Sequence, residues 1–84
     1  MINDKTYKLV LFNDNVHDYA YVASSLIHIC NHTPIQAEQC VVITHNVGKC
    51  TIKEGDILDM IEMKTGLEKC ELITEIENHE SYMH

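Results

Sequence analysis

Eighty-four residues make one domain, and 45% hydrophobic with 23% charged residues is the balance of a folded chain, not a disordered one. Six Lys, no Arg and 13 Asp+Glu leave a formal charge of −7, which disfavours a nucleic acid partner because phosphates are repelled. No apolar run approaches the ~18 residues that cross a membrane, and Met1-Ile2-Asn3-Asp4-Lys5 lacks a signal-peptide pattern, so a cytoplasmic protein without a membrane role is expected.

Along the chain, Tyr7-Lys8-Leu9-Val10-Leu11-Phe12 is short, apolar and β-prone, and the polar cluster Asn13-Asp14-Asn15 ends it. A buried central strand is expected there. From Asp18 onward Tyr19, Val22, Leu26, Ile29 and Cys30 recur at spacings of three and four, an amphipathic helix that His17 or Asp18 could cap. Asn31-His32 breaks that pattern. Thr33-Pro34-Ile35-Gln36 opens a second helix, with Thr33 as N-cap, Pro34 at the first position and Gln36 completing a capping box. This helix is expected to bury Ala37, Cys40, Val41 and Thr44, to run to about Asn46 and to stop at Gly48. Lys49 to Lys53 alternates as a short strand. Gly55-Asp56 then caps a third helix with Ile57, Met60, Ile61 and Lys64 on neighbouring turns, and Gly66 is placed to end it in a left-handed C-cap. Leu72, Thr74 and Ile76 alternate with Ile73, Glu75 and Glu77 as a half-buried strand, and the tail 78–84 is polar and expected to fray. The order β-α-α-β-α-β predicts an α+β fold, three helices on one face of a three-stranded, mainly antiparallel sheet.

The chemistry-bearing residues exclude more than they assign. Cys30, Cys40, Cys50 and Cys70 lie ten or more residues apart, and the tightest potential ligand pair is Cys30 with His32. Structural zinc sites use closer pairs, so no metal is expected, and buried thiols that fill apolar space are the plainer reading. A small metal-binding protein built on Cys30, His32, Cys40 and the other histidines is the outside alternative. Ser24-Ser25 has no nucleophile elbow, and Gly48, Gly55 and Gly66 stand alone without forming a phosphate loop. Neither an enzyme nor a cofactor is expected.

Two segments carry a family resemblance. Tyr7-Lys8-Leu9-Val10-Leu11-Phe12-Asn13-Asp14-Asn15 resembles the opening of the ClpS adaptor family, roughly Tyr-Lys-Val, two hydrophobic residues, any residue and Asn-Asp-Asp. Gln36-Ala37-Glu38-Gln39-Cys40-Val41-Val42-Ile43-Thr44-His45-Asn46-Val47-Gly48-Lys49 is similar to the family's second helix, with its late His and following Gly. The spacing from Asn13 to His45 fits without insertion. The resemblance runs from Tyr7 to Glu77 and implies a core domain at 7–77, a short extension at 1–6 and a tail at 78–84. It also implies a fold like the C-terminal domain of a ribosomal stalk protein.

Functionally, the resemblance implies a monomeric, non-catalytic adaptor. Its partners would be proteins exposing a bulky hydrophobic first residue (an N-degron) and the N-domain of a ClpA- or ClpC-type Clp AAA+ unfoldase. An α-ammonium presents three donors and a charge, so reading it requires converging acceptors. The resemblance carries that role onto Asn13 and His45, helped by Asp14 and Asn15, where one family carboxylate has become an amide. The matching side-chain pocket is His17, Tyr19, Val22, Val41, Thr44 and Leu72. Tyr19 replaces a common gating Met, Val41 a larger Met and Thr44 a common Val, so the preferred first residue is left open. Read without the family, Asn13-Asp14-Asn15 is a plain turn, His45 a helix-end histidine and Val22, Val41 and Leu72 ordinary core. Docking to the unfoldase is carried onto the third helix with Asp59 and Lys64, which alone would be a solvated charge pair. Family extensions engage the unfoldase, and only six residues precede Tyr7 here. A module of the same fold that binds an unfoldase or another protein without reading N-termini is the second expectation.

Overall fold

The computed structural model describes residues 6–79. Strand β1 (Thr6–Phe12) is the centre of a three-stranded sheet of order β2-β1-β3. Its neighbours are β2 (Lys49–Gly55) and β3 (Thr74–His79), both antiparallel to it, so the sheet is wholly and not just mainly antiparallel. Leu9 and Leu11 point to the face that the helices cover, and each is at most 1% exposed. The register with β2 shifts between Leu9 and Val10, pairing Val10 with Thr51 and Leu9 with Lys53. Ile52 is the extra residue of this bulge, and it joins the core.

Helix α1 (Tyr19–Cys30) starts at Asp18, whose side chain accepts from the Tyr21 N–H, so Asp18 and not His17 is the cap. It ends at Asn31, which adopts the left-handed conformation that Asn tolerates. Helix α2 (Pro34–Val47) has the expected capping box in full, with Thr33 and Gln36 each bonding the other's backbone N–H. Gly48 closes it at φ 103°, a value that favours glycine. Helix α3 (Ile57–Lys69) follows Asp56, which makes no side-chain cap bond.

One core joins the elements: Leu9 and Leu11, Leu26 and Cys30, Ala37 and Val41, Ile52, Met60 and Leu67, and Leu72, with the partly buried Ile76 of β3 packed against it. The helical stripes differ from expectation at their edges. Tyr19, Ile57 and Ile61 are exposed, Cys40 is only partly buried, and Leu67 does the anchoring in α3.

Gly66 is the clearest correction. It does not end α3, which continues to Lys69, and the left-handed residue beyond is Glu71 at φ 67°. A Cβ at Gly66 would sit 2.8 Å from Ile29 Cγ2, so this glycine allows α3 to approach α1. The strand β3 also runs two residues past the expected boundary, pairing Asn78 with Tyr7 and His79 with Thr6. Thr6 likewise belongs to β1 instead of the short extension. The rest of the expected extension and tail, 1–5 and 80–84, lies outside the described residues.

Candidate functional site

The site forms where β1 ends. There the Phe12 N–H donates to the Ile73 carbonyl (2.9 Å) and the Asn13 N–H to the Gly48 carbonyl (3.0 Å), tying the strand exit to the end of α2. The chain then turns through Asp14. Its Oδ1 accepts from the backbone N–H groups of Val16 (2.9 Å) and His17 (3.0 Å), an Asx turn that aims the chain toward Asp18 and α1. The loop, the start of α1 and the last turns of α2 enclose a cavity of about 530 Å³.

All ten residues expected at the ammonium and side-chain sites line this one cavity: Asn13, Asp14, Asn15 and His45, with His17, Tyr19, Val22, Val41, Thr44 and Leu72. Leu11, Phe12 and Asp18 line it as well, and the sequence reading had not assigned them there. Leu11 was legible only as core, and Asp18 only as a helix cap. Val41, Thr44 and Leu72 are nearly buried and supply the walls. The Thr44 hydroxyl donates to the Cys40 carbonyl (2.7 Å), so its proton is held within α2. At the exposed side, Tyr19 meets the His45 ring edge-on, with centroids 5.2 Å apart and planes at 65°. Asp59 and Lys64 are not among the lining residues. They lie on α3, where Lys64 pairs with Glu68 one turn on.

Asp14 and His17 form a second built unit. The His17 Nδ1 lies 3.1 Å from Asp14 Oδ2 and 3.3 Å from Oδ1, with both side chains almost covered. Burial alone would raise the Asp14 carboxyl, but the two backbone donors and the His17 ring outweigh it and hold the pKa below its ordinary 3.8. Behind His17, the Tyr21 ring stacks at 4.8 Å and 14°, and the Tyr21 hydroxyl donates to the Cys70 carbonyl (2.8 Å). The imidazole is therefore held at its Nδ1 edge and against one face.

Polar acceptors and apolar walls thus share one cavity, an arrangement that can hold a small cation attached to an apolar group. Elsewhere, burial pushes the thiol of Cys30 up to about 11 and that of Cys40 up to about 12, so neither is a ready nucleophile. His32 is buried near Cys30 and its pKa is lowered by desolvation. Among the described residues, no three His, Cys, Asp or Glu side chains converge as a metal site. Among them, too, no helix is long and apolar enough to cross a membrane.

Comparison with curated proteins gives no match. Among solved structures, the fold is similar to that of Agrobacterium tumefaciens ClpS2 bound to L-phenylalaninamide, with a TM-score of 0.83 at 16% identity. That match covers 92% of this chain and 100% of the other. The family model described as ATP-dependent Clp protease adaptor protein ClpS matches residues 3–79. The chain belongs to the ClpS family of Clp protease adaptors.

Proposed function

We propose that the protein binds the first residue of substrate proteins in this cavity and delivers them to a Clp AAA+ unfoldase, acting without catalysis. The observation that carries this reading is the meeting of the Asn13, Asn15 and His45 acceptors with the apolar walls of Val22, Val41 and Leu72 around one cavity. A free N-terminus of Leu, Phe, Tyr or Trp carries both complementary features on one Cα. L-phenylalaninamide, the ligand of the A. tumefaciens neighbour, is such a group in miniature: an α-ammonium and a benzyl side chain. An acetylated or internal residue offers no ammonium and would leave the acceptors unpaired.

Docking of the unfoldase N-domain, of ClpA or ClpC type, is assigned to α3. There Asp59 stands among exposed Ile57, Leu58 and Ile61. Lys64 contributes less, since its ammonium already pairs with Glu68.

Immobilised peptides beginning with Leu or Phe should retain the protein, while their acetylated copies should not. Equal retention of both would sink the reading. A second reading, a module that binds the unfoldase without reading N-termini, is favoured by the Tyr19 ring lying against His45 at the cavity. Association with the unfoldase, together with no response to any free-amine peptide, would establish it.

A further inference from the structure

Asp14 was expected to help hold an ammonium, but its carboxylate already faces three donors of its own loop: two backbone N–H groups and the His17 ring. The consequence falls on His17. An ionised carboxylate at Nδ1 favours the tautomer with the proton on that nitrogen, which leaves the lone pair on Nε2. The lowered pKa of Asp14 keeps that carboxylate ionised. Among the described residues no hydrogen bond to Nε2 is found, and His17 is one of the residues that line the cavity. Stacking on Tyr21, itself anchored to Cys70, keeps the plane of the ring, and the contact with Asp14 keeps Nδ1 on the loop side. A held acceptor therefore stands at a cavity that Val22, Val41 and Leu72 line with apolar surface.

Resting on the reading of this cavity as an N-degron pocket, we propose that His17 Nε2 accepts a hydrogen bond from the first side chain and makes Trp the preferred first residue. The indole N–H is the donor that fits. His17 belongs to the same loop as the ammonium acceptors Asn13 and Asn15, so it reaches groups near the Cβ end of the bound side chain. The indole nitrogen is closer to Cβ than the phenol oxygen of Tyr, which projects to the far end of its ring. Phe and Leu carry no donor and gain nothing from Nε2. Asp14 is then a positioning residue for His17, acting through the ring and not on the ligand.

The test compares two peptides identical except at the first residue, Trp or benzothienylalanine, in which sulfur replaces the indole N–H at nearly the same ring shape. Titrated by fluorescence anisotropy, the protein should bind the Trp peptide about tenfold more tightly. In His17→Phe, which keeps a ring to stack on Tyr21, that ratio should fall to near one. Equal affinities in the unaltered protein, or a ratio that survives in His17→Phe, would overturn the proposal. Equal affinities in the unaltered protein decide against the proposal even if the variant does not fold. Acetylated copies of both peptides are run alongside. If they bind as well as the free amines, or if no peptide binds, the pocket reading itself fails and the proposal goes with it. Equal binding of the two free-amine peptides alone leaves that reading standing and removes only the role of His17.

Discussion

Asp14 directs its carboxylate into its own loop, and that choice has a pH signature. Its pKa in the folded chain lies below the ordinary 3.8, so the stabilisation it gives is complete above about pH 4 and is lost as the pH falls through the depressed folded value. Asp14→Asn keeps an oxygen for the Val16 and His17 N–H groups but removes the charge facing the His17 ring. At neutral pH the variant should be less stable by about 1 kcal/mol, read as a lower melting temperature. The gap should close on acidification below 3.8, where the native side chain becomes neutral too. A gap constant across that range would mean that Asp14 acts only as a neutral acceptor. At this scale the sequence showed which residues gather, because the Asn13-Asp14-Asn15 and His45 patterns stand at family spacing. It could not show how many donors each oxygen already meets, which depends on turn geometry. Asp14, expected at the ammonium, lines the cavity and also supports its own loop, and Asp18, read only as a cap, lines the cavity too.

Between elements, the close contact of α1 with α3 makes Gly66 decisive. Ala in place of a mid-helix Gly ordinarily adds about 1 kcal/mol of stability. Here the new methyl would meet Ile29 Cγ2 at 2.8 Å and Cδ1 at 3.4 Å. Cγ2 hangs on a branched Cβ and can move only if χ1 leaves its preferred well or the helices separate, at roughly 1–3 kcal/mol. Overpacking wins, and Gly66→Ala should destabilise the fold by about 1 kcal/mol. In an Ile29→Ala background the clash is gone, so the same substitution should become stabilising. Urea denaturation of the four proteins measures this reversal of sign, and two equal costs would exclude the contact as its cause. The helix starts were legible because capping is local: Thr33 to Gln36 contains its own geometry. Gly66 was not, since a glycine that stops a helix and one that admits a neighbour look alike until the neighbour's position is known.

Across the whole molecule, an adaptor must hold substrate and unfoldase together, so the two surfaces must not overlap. The register of β1 sets the two proposed surfaces apart. Phe12 pairs with Lys49 at the cavity end of the sheet, whereas Tyr7 pairs with Gly55, just before α3 begins. Those five steps along β1 span about 16 Å, which sets the first turn of α3 apart from the cavity. Leu58 in that turn is 74% exposed and contributes nothing to the core. Leu58→Asp places a carboxylate near a helix N-terminus, where the dipole favours it, so the fold should survive. Binding of the unfoldase N-domain should drop at least tenfold, while affinity for a free-amine peptide stays unchanged. Asn13→Ala should do the reverse, removing an exposed acceptor at the cavity and leaving unfoldase binding intact. Lys64→Ala should change either affinity little, because an exposed pair within one helix contributes at most about 0.5 kcal/mol. Surface plasmon resonance with each partner immobilised in turn would measure all three variants. If Leu58→Asp weakened both interactions alike, the two surfaces would be coupled or overlapping, and the division of the molecule into two working ends would be wrong.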